Sequence, residues 1–179
     1  FLPLLAVERL DSNFLLTNHW SSRWGYTVPQ ALIHILFPVR IEAVLVFPIL
    51  TAAGALAMLF CSLSVHTNFS LYLKIAILLV LGFDTAFLGT MTKDPEYAPA
   101  FLYLVLSIYF ALSLEKHPKV HYALLAAFFL FLTFTCNAIF LAFAVGMSTF
   151  FLVRKNFRAL IKLSSCFVFL LLVDTLFFW

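Results

Sequence analysis

The sequence predicts an all-α polytopic membrane protein, and three observations carry that expectation. Of the 179 residues, 64% are hydrophobic and 11% charged, and the mean hydropathy is +1.08. A soluble domain is nearer 45–50% apolar and about 25% charged. Aromatic residues make up 18% of the chain, 23 of them Phe, more than a 20.3 kDa globule can bury. Apolar runs of membrane-crossing length then recur along the chain between short polar stretches. These features exclude a soluble enzyme and a disordered chain. Cys61, Cys136 and Cys166 lie in apolar runs with no CxxC spacing, which argues against a disulfide or zinc framework.

The elements follow in order as one transmembrane domain, 1–179. Phe1 to Val7 reads as the exit of a helix. Both ends fall in apolar stretches, so the chain reads as an excerpt of a longer one. Residues 8–40 form a long interfacial loop rich in Trp, Tyr, His and Arg. Within it, 28–37 is too short to span and is expected to lie in the membrane surface as an amphipathic helix. Spans are expected at about 43–63, 71–90 and 97–114. The apolar run 121–153 is too long for one crossing, and its polar break Thr135-Cys136-Asn137 predicts two short helices, 121–135 and 137–153. A last span covers 163–179.

The basic residues give an orientation. Placing Lys116, Lys119, Arg154, Lys155, Arg158 and Lys162 inside leaves only Arg9, Arg23, Arg40 and Lys93 outside. Glu8, Asp11, Glu42, Asp94 and Glu96 then fall on the outer side. Asp84 and Asp174 lie in the outer parts of apolar spans, where a charge costs up to about 2.5–3.5 kcal/mol at mid-membrane. A polar, carboxylate-lined cavity on the outer face is the expected consequence.

Two outer segments could carry chemistry. One holds Asp11, His19 and Arg23 in LDSNFLLTNHWSSRWG. The other is Thr92-Lys93-Asp94-Pro95-Glu96-Tyr97. Carboxylates with Arg and Lys nearby can deprotonate a hydroxyl and stabilise a departing phosphate. The same residues have plainer readings. Asp94-Pro95-Glu96 is also an ordinary helix start, with Asp as N-cap and Pro at the first helical position. Asp11 could be a surface acid beside Arg9, and Arg23 an interfacial anchor. The five histidines all lie in loops or at interfaces, which disfavours a haem or metal centre held between spans. Asn68-Phe69-Ser70 matches a glycosylation sequon, but falls on the inner side in this orientation. Residues 154–162 could bind anionic lipid headgroups, or simply be a positive-inside loop.

In its order of elements the chain resembles the amino-terminal half of the GT-C class of membrane glycosyltransferases. It is most similar there to the dolichyl-phosphate-mannose protein mannosyltransferases and bacterial aminoarabinose transferases. The likeness rests on Asp11 after the first helix, then on the basic-aromatic stretch His19 to Gly25 and the amphipathic Val28 to Phe37. The acidic motif Asp94-Pro95-Glu96 comes at the next outer loop. Many relatives carry Lys at the apex of the short hairpin, where this chain has Cys136-Asn137.

The resemblance implies transfer of a sugar from a polyprenyl-phosphate donor to an acceptor hydroxyl on the outer face of a cell or endoplasmic-reticulum membrane. Asp11 would be the general base, and Asp94 or Glu96 would orient the acceptor or support that base. Arg23 or Lys93 would hold the donor phosphate, with His19, Asp84 and Asn137 in support. A divalent metal is compatible with that chemistry, though no spacing demands one. The expected partners are the lipid-linked donor, membrane lipids and other membrane subunits, and no nucleic acid. Two competing readings stand beside it. One is a non-catalytic subunit of a larger membrane complex. The other is a transporter fragment using Asp84 and Asp174.

Overall fold

The computed structural model describes residues 24–36, 41–84, 96–136 and 141–178, and every regular element among them is an α-helix. In chain order these are α1 (Trp24–Leu36), α2 (Ile41–His66), α3 (Leu71–Phe83), α4 (Tyr97–Lys116), α5 (Val120–Cys136), α6 (Leu141–Val153) and α7 (Phe157–Phe178). Three stretches are long and apolar enough to cross a membrane: Val46–His66, Tyr97–Lys116 and Phe157–Leu176. The protein is therefore an all-helical membrane protein. Helices α3, α5 and α6 are apolar but shorter.

The helices pack in the spatial order α3, α2, α4, α5, α7, α6, and α1 lies across α2, α4 and α5. The tightest pair is α4 with α5. Its seam carries small side chains, Ser107 and Ala111 on one side and Ala123, Ala126 and Ala127 on the other, all buried. Small residues let two backbones approach where no hydrophobic drive separates protein from lipid. Ser107 uses the closeness by donating to the Ala126 carbonyl at 2.8 Å. Ala159 and Leu163 bring α7 onto the same core, with Phe151 of α6 fully buried beside them. Phe110 and Phe129 stack across the seam with planes 6° apart.

Local chemistry sets the helix ends. Ser70 caps α3, accepting from the Leu73 amide at 3.3 Å. α6 closes in a Schellman turn: the Lys155 amide reaches Leu152 O at 2.9 Å and the Asn156 amide reaches Phe151 O at 2.9 Å. That motif needs a left-handed residue, and Lys155 supplies it with φ 53° where glycine is usual. Asn156 then caps α7, its Oδ1 accepting from the Ala159 amide at 3.2 Å. Three residues thus reverse the chain.

The bundle has two unlike ends. At one, the basic end, lie every Lys and Arg of the described residues, with Lys74 one turn inside. At the other, the α1 end, lie the start of α4, the end of α5 and the helix α1.

Candidate functional site

Most of the candidate site residues, Asp11, His19, Arg23, Lys93, Asp94 and Asn137, lie outside the described residues. Glu96 and Asp84 are described, and they differ. Asp84 is the exposed C-cap of α3, with its amide directed to Leu81 O. The described helix ends at Phe83, so Asp84 stands at a helix end and not within an apolar helix. Asp174 sits on α7, separated from α3 by α2, α4 and α5, which is not the pairing a transporter path would need.

Glu96 is 5% exposed. It occupies the N-cap position of α4 in a helical conformation, and its side chain makes no capping hydrogen bond. Its carbonyl accepts from the Ala100 amide at 3.2 Å. The helix-start reading puts the helix at Pro95, whereas α4 begins at Tyr97. The carboxylate has the favourable end of the α4 dipole without serving as its cap. A buried carboxylate at the start of a membrane-length helix is costly, which makes it a marker of function.

At the same end, α1 is fastened to the bundle through its own backbone. Pro29 lacks an N–H, so the Gly25 carbonyl four residues earlier has no helical donor. The Tyr103 hydroxyl of α4 fills that vacancy, donating to Gly25 O at 3.1 Å. The Gly25 amide donates to Thr135 Oγ1 of α5 at 3.2 Å. Thr135 in turn donates to Leu132 O at 3.0 Å. No side chain fits at position 25: a Cβ there would strike the Leu132 carbonyl oxygen and come within 2.7 Å of Cys136 Sγ.

Around this clamp Tyr26, Phe47, Ala100 and Cys136 form a small buried cluster distinct from the main core. The Tyr26 ring lies 6.2 Å from Phe47, and burial raises its phenol pKa above the ordinary value. Gln30, one turn further along α1, is 4% exposed. The α1 end therefore carries a buried carboxylate at the start of α4, a buried amide on α1 and two tyrosines packed in one cluster. A buried carboxylate can hold a proton acceptor in a dry setting. Among the described residues, no group of three or more His, Cys, Asp or Glu is placed to hold a metal ion.

The sequence pointed to Glu96 through its acidic motif. It gave no sign of Tyr103 or Gln30, and it offered Gly25 only as the end of a basic-aromatic stretch. The usable signal was Gly25 four residues before Pro29, which leaves a carbonyl in need of a donor. Comparison with family models, curated proteins and solved structures finds no significant match to this chain.

Proposed function

We propose that the α1 end is the working end of a GT-C-type membrane glycosyltransferase, moving a sugar from a polyprenyl-phosphate donor to an acceptor hydroxyl. The observation that carries the reading is Glu96: a carboxylate 5% exposed, not spent on capping, at the end of the bundle away from every described Lys and Arg. In this reading Asp11 takes the acceptor proton, and Asp94 and Glu96 orient the acceptor. Arg23 and Lys93 neutralise the lipid phosphate as it leaves. His19, Asp84 and Asn137 are supporting groups. The site faces the extracytoplasmic side of a cell membrane, or the lumen if the membrane is that of the endoplasmic reticulum.

The test is sugar transfer by the full chain in proteoliposomes supplied with polyprenyl-phosphate-linked sugars and hydroxyl acceptors. Asp11→Asn should lower the rate by about 10²–10⁴-fold, the range lost with a general base. Absence of transfer with any such donor, or an Asp11→Asn variant as fast as the parent, would refute it.

A second reading, a non-catalytic subunit of a membrane complex, draws on α3. This helix has no buried residue, and Tyr72, Val80 and Phe83 are 86%, 71% and 77% exposed. Only α2 holds it. Co-purification of a stoichiometric membrane partner, protecting α3 from lipid-phase labelling and accompanied by no transfer, would favour that reading.

A further inference from the structure

Away from the α1 end, α6 leaves a groove along α4. Ile108, Ala111 and Leu112 line one wall and Gly146, Met147 and Phe150 the other, enclosing about 220 Å³ that opens sideways. Two small residues make it. Ala111 stops at its Cβ, and a Cβ added at Gly146 would meet nothing within 4 Å. Facing small residues normally let helices close up. Here the core-side anchors of α6 set its position first: Phe151 is fully buried, and Met147 Sδ packs 3.7 Å from Ser107 Oγ.

The groove ends under a cationic rim. Glu115 follows Ala111 by one turn on α4, and Arg154 follows Phe150 by one turn beyond it. Their side chains meet across the groove end at 3.5 Å, Nε to Oε1. The guanidinium also lies over the Phe150 ring, 5.7 Å from its centroid, with 63% of its side chain exposed. Lys155 and Arg158 are exposed beside it and pair with no acid among the described residues. One acid thus faces three bases.

We propose that this groove seats an acyl chain of an anionic glycerophospholipid whose phosphate rests on Arg154 and Lys155. The groove runs beside α4, a membrane-length helix, so its surroundings are lipid. A space of about 220 Å³ takes part of one chain, whereas a helix with side chains is about 10–12 Å across. Arg154 spends only Nε on Glu115, which leaves its two terminal nitrogens for a phosphate. A net positive rim at the membrane surface favours an anionic headgroup over a zwitterionic one. This inference is independent of the glycosyl-transfer reading.

The full chain, reconstituted in bilayers of mixed phosphatidylglycerol and phosphatidylcholine and re-extracted in mild detergent, would be assayed by mass for retained phospholipid. The parent should retain phosphatidylglycerol. Gly146→Leu, whose Cβ meets nothing within 4 Å, should lower retention by at least about tenfold with thermal stability unchanged. Arg154→Gln should keep a lipid but lose the preference for phosphatidylglycerol. A photoreactive residue at the half-exposed position 108 should give a phospholipid adduct in the otherwise unaltered chain. That adduct decides the matter if Gly146→Leu does not fold. Undiminished retention in a folded Gly146→Leu, an adduct on polypeptide in place of lipid, or no lipid adduct at all would each overturn the proposal.

Discussion

The two ends of the bundle handle polar groups in opposite ways. At the basic end the charged side chains are lightly tied at the surface. Lys116 Nζ donates to Val65 O at 3.0 Å, Lys162 Nζ donates to Pro118 O at 2.6 Å, and Arg154 meets Glu115 in an ion pair, all at the surface. At the α1 end polar groups are buried and tied across long stretches of sequence, with Gly25 joined to Tyr103 and Thr135, 78 and 110 residues away. Solvated polar contacts contribute little to stability, whereas buried ones are expensive to leave unmade. The basic end can therefore change its side chains at little cost, while the α1 end holds one shape. A site that must position a carboxylate belongs at the second.

Substitutions can break or sharpen this contrast. The largest loss is expected at Gly25. Gly25→Leu drives a side chain into the Leu132 carbonyl and Cys136, and should cost about 3 kcal/mol or detach α1 outright. Thermal melting in detergent, with proteolysis near residue 25, reads both results. A Gly25→Leu chain as stable as the parent would mean that the clamp is not closed.

Next comes Tyr103→Phe, which strips the donor from the Gly25 carbonyl and should cost about 1–3 kcal/mol. Pro29→Ala restores a helical N–H to that same carbonyl. The loss from Tyr103→Phe should shrink in the Pro29→Ala background, with a coupling of about 1 kcal/mol in a double-mutant cycle. Additive effects would show that the proline vacancy and the tyrosine are unrelated.

At the basic end the expected effects are smaller. Lys155→Gly relieves a left-handed backbone at φ 53° and should raise stability by about 1 kcal/mol, read as a higher Tm. Arg154→Ala removes a mostly exposed ion pair and, in lipid-free detergent, should change stability by less than about 1 kcal/mol. A larger loss there would erase the distinction between the ends.

Part of this architecture was legible in the sequence. Composition and the long apolar runs identified an all-helical membrane protein, because a surface that faces lipid has to be apolar all round. The charge asymmetry also stood out, since basic residues cluster in two short loops. The start of α1 was not readable. A helix is expected from 28, yet Trp24 to Thr27 are already helical, and α4 and α5 supply hydrogen bonds to Gly25 there. The end of α3 at Phe83 falls just before Asp84, which the expected span 71–90 had placed inside the helix. Of the candidate site, the sequence could mark Glu96 by its acidic neighbourhood, but the burial of its carboxylate is set by tertiary packing. The groove beside α6 had no sequence signature, because a glycine in an apolar helix reads the same whether a neighbour fills the space beside it or leaves it open.

The most direct test of the account is Glu96→Gln, followed by sugar transfer and melting temperature on the same preparation. The substitution keeps the shape of the side chain and removes its charge. If Glu96 is held buried for chemistry, transfer should fall by at least about tenfold while Tm changes little, since the amide keeps the size and most of the hydrogen-bonding capacity of the side chain. Unchanged transfer with a lower Tm would contradict the account, and would make Glu96 part of the scaffold that holds α4 in place.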